Sequence, residues 1–377
     1  MDHPVLRNAL RFHMLPQLGM KDLAALAPVC KEWAGVSRAL APAIRDGTLP
    51  PAHQHVWSRD GRFLAIRTAA ESTPCARSRV LLLASDTFAP AKEVFCLPVV
   101  HDSYHVWDGH DMQWRGDTLY LMSKRELYAW RDPLRNTSPP VVLTLSDHNK
   151  YDRMTNFALF GPTVYIATEV GLVLVGDLTA SGRVQRFLGG DVIPDPHNFV
   201  ASSGGPWIAS TGYELADVTI LDVGSASVVR TLRLPQWQDA ESESHALAWE
   251  PGGGTRLAVA WHHHVVVWDV ATHDAPRTLI ESADGVNPSC AWSPDGETLA
   301  CVFGNVAEIR LVSMAAGGTG GTRVLRDAAA FEGLHTVSYA PDSRRLLLQL
   351  CINPGWRRET RVYTIPPAAQ KKDTVRS

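Results

Sequence analysis

The sequence has almost no excess of charge of either sign: 36 Lys and Arg stand against 39 Asp and Glu, for a formal net charge of -3. A general nucleic-acid binder carries a strong basic excess, so no nucleic-acid partner is expected. Cysteine is sparse. Cys30, Cys75, Cys96, Cys290, Cys301 and Cys351 are scattered with no C-x-x-C pair, which argues against a disulfide framework and a structural zinc site. They read as buried thiols in a reducing compartment. No apolar run reaches the ~18 residues that span a bilayer. The start, Met1-Asp2-His3-Pro4, lacks the charged and apolar regions of a signal peptide. The expectation is a cytoplasmic or nuclear protein without membrane contact, in which the acceptor pattern Asn136-Thr137-Ser138 has no secretory route to serve.

Catalytic patterns are lacking too. No Gly-x-Ser-x-Gly, His-Glu-x-x-His or paired-carboxylate arrangement stands out. Gly317-Gly318-Thr319-Gly320-Gly321 has no Lys-Ser/Thr of a phosphate loop and sits between strands; it reads as a loop within the sixth repeat. The polar run from His101 to Asp111 fits no known ligand spacing. In His262-His263-His264, strand alternation is expected to send His263 to the opposite face from its neighbours. No catalytic residue, metal ligand or cofactor is assigned. A propeller enzyme using the His101–Asp111 cluster stays as the least favoured alternative, because fold does not fix function.

What is present is a repeat. A short apolar strand runs into a turn of Gly, Pro, Asp or Ser, and a second apolar strand follows. The clearest copies are Cys290-Ala291-Trp292-Ser293-Pro294-Asp295-Gly296, Tyr339-Ala340-Pro341-Asp342-Ser343 and Trp249-Glu250-Pro251-Gly252. Pro presets a turn φ, and Asp-Gly tolerates the positive φ of a tight hairpin. Weaker copies are Trp57-Ser58-Arg59-Asp60-Gly61, Trp114-Arg115-Gly116-Asp117, Phe160-Gly161-Pro162 and Ser203-Gly204-Gly205-Pro206. One apolar residue after each turn aligns the set: Leu64, Leu119, Val164, Ile208, Leu257, Leu299 and Leu346. Their spacing is close to the ~40–45 residues of a four-stranded propeller blade. A third strand rich in β-branched and aromatic residues follows each, from Val80-Leu81-Leu82-Leu83 to Arg361-Val362-Tyr363-Thr364-Ile365. Seven such units argue for a radial all-β ring, in which closure protects strand edges. The seventh unit lacks an obvious fourth strand, and a segment within Ala41 to His55 is expected to supply it. A long β-sandwich or a smaller propeller with insertions is the rival architecture.

The repeats resemble the WD40 family. Trp268-Asp269 stands where that family's Trp-Asp dipeptide stands, His245 and His335 lie about where its histidine precedes a blade, and Gly109-His110 keeps its Gly-His pair. Asp295 and Asp342 occupy turn positions of the same pattern. Most blades lack the Trp-Asp, so the array is a degenerate one. The resemblance implies a mainly β, seven-bladed WD40-like propeller over residues 57–366, after a linker and candidate ring-closing strand at 41–56 and before a polar tail at 367–377.

Residues 1–40 change period. Val5, Leu6, Ala9, Leu10 and Phe12 recur at helical spacing after Pro4, and Asp22 to Ala27 reads as a second helix that Pro28 ends. So short a helical segment buries little apolar surface alone. It resembles an F-box: the matching residues are Pro4, Leu6, Leu10, Leu18, Asp22-Leu23, Leu26 and Val29-Cys30-Lys31-Glu32-Trp33. It departs from that family in having His3 before the Pro, a longer stretch to Asp22, and Pro28 within the match. The resemblance implies that Pro4, Leu6, Leu10, Leu18, Leu23, Leu26, Val29 and Trp33 dock on the Skp-family linker subunit of a cullin-RING ubiquitin ligase. The propeller then presents a substrate protein, and the chain is a non-catalytic adaptor, monomeric within a larger complex. The alternative is a propeller scaffold with a helical cap and no ubiquitin role.

Overall fold

The computed structural model describes residues 45–49, 52–68, 77–88, 90–98, 112–123, 125–136, 141–145, 154–168, 171, 173–179, 184–188, 196–212, 217–233, 246–272, 274–282, 286–304, 308–314, 321–326, 334–352 and 357–365. These form seven four-stranded antiparallel sheets. The first is β2–β5 (Ala52–Trp57, Phe63–Thr68, Arg77–Ala84, Pro90–Pro98) and the second β6–β9 (Met112–Arg115, Thr118–Met122, Glu126–Arg131, Val141–Thr144). The third is β10–β13 (Met154–Phe160, Thr163–Thr168, Val173–Asp177, Val184–Leu188) and the fourth β14–β17 (Pro196–Ala201, Trp207–Gly212, Asp217–Asp222, Ser227–Arg233). The fifth is β18–β21 (Ala246–Trp249, Arg256–Trp261, His264–Asp269, Arg277–Glu281) and the sixth β22–β25 (Val286–Trp292, Thr298–Gly304, Glu308–Ser313, Thr322–Arg326). The seventh joins the two ends of the chain. Its first three strands are β26 (Leu334–Tyr339), β27 (Arg345–Ile352) and β28 (Arg357–Thr364), and its fourth is β1 (Arg45–Leu49). No helix occurs among the described residues.

Each sheet is a blade of a seven-bladed, WD40-like ring. First strands lie beside first strands: β2 against β6, β10 against β14, and so on through β18, β22 and β26. The remaining two neighbours are tied by side chains. Gln113 Nε2 of β6 donates to the Phe157 carbonyl of β10 at 2.6 Å, and His55 Nε2 of β2 meets Ser338 Oγ of β26 at 2.9 Å. The core is correspondingly divided between the seams. One apolar cluster fills each gap between blades; the gap between the seventh and first holds Leu49, Trp57, Leu64, Ile66, Leu83, Ala340, Leu347 and Val362.

This division explains the sequence pattern. A blade is packed on both faces, so its second strand reads as an almost continuous apolar run rather than an alternating one. In β19 every residue after Arg256 is buried, from Leu257 to Trp261. The seven aligned apolar residues Leu64, Leu119, Val164, Ile208, Leu257, Leu299 and Leu346 are all 0% exposed. Burying each such side chain stabilises by about 1.5–3 kcal/mol. Fourth strands sit at the rim and relax toward polarity, with Val141, Val228, Val229 and Val324 left exposed.

Ring closure is by strand pairing. Thr48 faces Arg361 and Leu49 faces Thr360 in the β1–β28 register, and β1 falls within the Ala41–His55 stretch. The first blade's own first strand begins at Ala52, so the ring-closing strand and the start of the first blade are almost contiguous.

Candidate interaction surface

In an antiparallel blade the turn between first and second strands and the turn between third and fourth strands emerge at one end, and the remaining connections at the other. Each end is a rim of seven sets of loops, which is where a propeller meets other molecules.

At the first end the turns are locked by side chains. Ser58 Oγ donates to Asp60 Oδ1 at 2.7 Å and accepts from the Phe63 amide at 2.9 Å, while the Arg62 amide reaches Asp60 at 3.1 Å. The sixth blade repeats this atom for atom: Ser293 to Asp295 at 2.5 Å, the Thr298 amide to Ser293 at 2.9 Å, and the Glu297 amide to Asp295 at 3.0 Å. Asp342 takes the Arg344 amide at 2.9 Å and an Arg345 ion pair. The turn glycines Gly61 and Gly296 adopt φ of 70° and 74°, a conformation an L side chain resists. Desolvation would raise the carboxyls of Asp60 and Asp295, but the hydrogen bonds from Ser58 and Ser293 and from neighbouring amides outweigh it, and both lie below the ordinary carboxylate value. The third-strand ends use the same device. Asp269 accepts from Thr255 Oγ1 at 2.7 Å and the Ala271 amide at 3.1 Å. Asp222 and Asp177 cap the equivalent turns of the fourth and third blades.

Adjacent turns are also stapled across the seams. Trp249 Nε1 donates to the Val200 carbonyl, and Trp292 Nε1 to the Ala248 carbonyl, each at 3.0 Å. Arg256, paired with Glu250 and bonded to the Met314 carbonyl at 3.2 Å, lies 4.9 Å over the Trp292 ring. Arg345 lies 5.2 Å over Trp57 and donates to the Ser85 carbonyl. Arg230 sits 5.9 Å over Trp268. These arginines are structural, so Arg345 is a seam residue and not a freely solvated one.

The predicted residues are distributed as follows. Trp268, 5% exposed, and Asp269 end β20, the third strand of the fifth blade. Asp295 and Asp342 lie in the turns just described. His335 lies inside β26, at a bulge between Leu334 and Thr336, rather than ahead of the strand. His53 and His197 fill the same bulge position in β2 and β14, a recurrence missed in the sequence. Counted along the sequence back from the first-strand residue that pairs with the aligned apolar residue, Trp249 with Leu257 and Trp114 with Leu119, His245 and His110 hold the same position as well. His245, His110, the His101–Asp111 run and the F-box-like residues Pro4, Leu6, Leu10, Leu18, Leu23, Leu26, Val29 and Trp33 lie outside the described residues. His262 and His263 overturn the alternation expectation. They are the two turn residues between β19 and β20, His262 has φ 45°, and their rings are 3.9 Å apart. Burial, and then the charges of His263 and His264, hold His262 below the ordinary imidazole value. Cys290 and Cys301 face each other across β22 and β23, both buried. Burial pushes the Cys290 thiol up to about 12, which makes it an inert packing group. No metal-binding cluster occurs among the described residues, nor any helix long and apolar enough to cross a membrane.

No family model matches the chain, and no curated protein matches it. Solved structures do. The β-propeller domain of Myceliophteria thermophila Cps50 (Swd1) superposes with a TM-score of 0.59 at 14% identity, over 86% of this chain and 100% of that one. A chain of the Mitotic Checkpoint Complex gives a TM-score of 0.60 at 14% identity, over 86% of this chain and 96% of that one. At such identity the likeness is one of fold.

Proposed function

We propose that the chain is a protein-interaction adaptor, the substrate-recognition subunit of a Skp-cullin-F-box type ubiquitin ligase, in which the ring presents a partner protein. The observation that supports this is where the ring closes. β1 begins at Arg45 and completes the seventh blade. Residues 1–40, which carry the F-box-like pattern, are therefore not needed as a blade strand. The rim turns offer polar positions fixed by side-chain hydrogen bonds, an anatomy suited to binding. One structural neighbour is itself part of a multiprotein complex.

The test is a pull-down of purified Skp-family linker by the full chain, by its Trp33→Ala variant and by a chain starting at Ala41. The full chain binds. Truncating Trp33, a candidate hot spot, weakens binding by ~2 kcal/mol or more, and the shortened chain does not bind although its melting temperature matches that of the full chain. Equal binding by all three, or a shortened chain that fails to fold, rejects linker docking in favour of a helical cap.

A further inference from the structure

We propose that the outer edge of the sixth blade is a contact between two copies of this chain, in which β25 pairs antiparallel with its own mate about a two-fold axis at Val324. The proposal rests on the ring alone and not on linker docking by residues 1–40, and it departs from the monomer that the resemblance implies.

The outer strand of a blade offers a row of main-chain groups to any other strand, and proteins blunt such edges with bulges. Here β1, β5, β9, β13, β17 and β21 each carry a register shift against the third strand they pair with. β25 carries none: Thr322 to Arg326 run in unbroken register along Val312 to Glu308. The other exposed valines of the rim sit at bulges. In β17 the shift falls between Val228 and Arg230, and in β9 between Val141 and Leu143. Val324, 39% exposed, stands in the middle of the regular edge. No strand among the described residues lies against that edge.

The ladder decides which groups face outward. The Ser313 amide donates to the Gly321 carbonyl at 3.3 Å, so Ser313 and Gly321 form a bonded pair. Bonded pairs recur at every second residue of an antiparallel ladder. Arg323 and Leu325 therefore bond to β24, while Thr322, Val324 and Arg326 turn their main-chain groups away from it. A mate centred on Val324 meets this pattern in phase. Val324 faces Val324, Thr322 faces Arg326 and Arg323 faces Leu325, with about six main-chain bonds across the axis. No cation stands directly opposite a cation. The charge beside Val324 in register, Arg310, is already held by Glu308 at 3.5 Å and lies over the Phe303 ring. Leu325 is buried in the seam with the seventh blade and fixes which face Val324 takes. A contact this short falls below the ~1,200 Å² of a stable interface, so the dimer forms and dissolves with concentration.

The experiment is sedimentation equilibrium of the full chain between about 1 µM and about 1 mM. The parent shifts from monomer to dimer as concentration rises. Val324→Lys sets like charges face to face on the axis, and Val324→Pro removes an outward amide without removing a ladder bond. Each weakens dimerisation about tenfold or more and melts as the parent does. Val324→Cys, incubated with oxidised glutathione as the electron acceptor, is captured as a disulfide-linked dimer, because bonded mates lie ~5.5 Å apart, within reach of a disulfide. Thr322→Cys is not captured, since its mate lies about four residues away along the strand, and the parent under the same treatment accounts for the native cysteines. A parent that stays monomeric overturns the proposal and leaves the edge to a strand of another protein. A dimer that Val324→Lys and Val324→Pro leave intact overturns it too, as does capture of Thr322→Cys as readily as of Val324→Cys.

Discussion

The fourth to sixth blades and the seventh, first and second blades are built from the same turn and the same aromatic position, yet their seams are fastened differently. Between the fourth, fifth and sixth blades the Trp that ends each first strand both packs and donates, Trp249 to Val200 and Trp292 to Ala248. Trp207 stacks on Trp249 at 6.2 Å to thicken that seam. At the seventh-to-first and first-to-second seams the equivalent Trp57 and Trp114 pack, but their indole nitrogens are buried without an acceptor. The closing seam relies instead on His55 to Ser338, on Arg345 over Trp57, and above all on β1 pairing with β28. A repeat can thus conserve a packing residue while moving the polar work elsewhere. The seam joined by residues far apart in sequence carries the most entropy to be offset.

Removing the closing strand breaks this comparison most severely. A chain starting at Pro50 loses β1, the buried Leu49 and the cover over the outer edge of β28. Loss of one buried Leu alone costs ~2–5 kcal/mol, and the opened edge invites association. The expected outcome, read by thermal melting and size-exclusion chromatography, is a much lower or absent transition with aggregation. A chain starting at Ala41 keeps β1 and melts like the full chain. If the chain from Pro50 melts normally, the pairing of β1 with β28 is not what closes the ring.

The fold was legible because blade interiors are buried on both faces. That makes second and third strands read as apolar runs, and the turn residues between them punctuate the chain. The aligned positions from Leu64 to Leu346 needed no more than that. The histidine position was legible only in part. The distance from it to the aligned apolar residue changes with turn length, which is short between Trp114 and Leu119 and long between Trp249 and Leu257. His53 and His197 emerge only once the pairing register is known. The seam role of Arg345 was not legible for another reason: nothing local in sequence says that a Trp from the far end of the chain lies beneath it. The His262-His263 pair was misread because a two-residue turn between β19 and β20 was taken for strand.

A smaller effect sharpens the comparison of seams. Trp292→Phe and Trp57→Phe remove similar volumes from similar positions. The first abandons a hydrogen bond to the Ala248 carbonyl, at a net cost of ~1 kcal/mol or more. The second deletes a donor that has no acceptor, relieving a desolvation penalty of ~1–3 kcal/mol. Denaturant unfolding is expected to show Trp292→Phe the more destabilised of the two by ~1–2 kcal/mol on that basis. Equal losses would mean that the indole bond contributes nothing beyond packing.

The smallest effect concerns what the two regions share. Asp60 and Asp295 both lie below the ordinary carboxylate value, so on acidification the unfolded chain takes up their protons first. Their contribution is present above the unfolded value of ~3.9 and is lost as pH falls through the lower folded one. Asp60→Asn and Asp295→Asn, measured by melting between about pH 5 and pH 2, should each flatten the acid loss of stability slightly. Asp295 accepts more of its bonds from structure, including one from Ser343 in the next blade's turn, whereas Asp60 shares its charge with the exposed Arg62, a pairing that solvent weakens. Asp295→Asn should therefore flatten the profile more. Should Asp60→Asn do so instead, the ion pair and not the turn would be the source of the shift, and the resemblance between the two turns would be one of geometry alone.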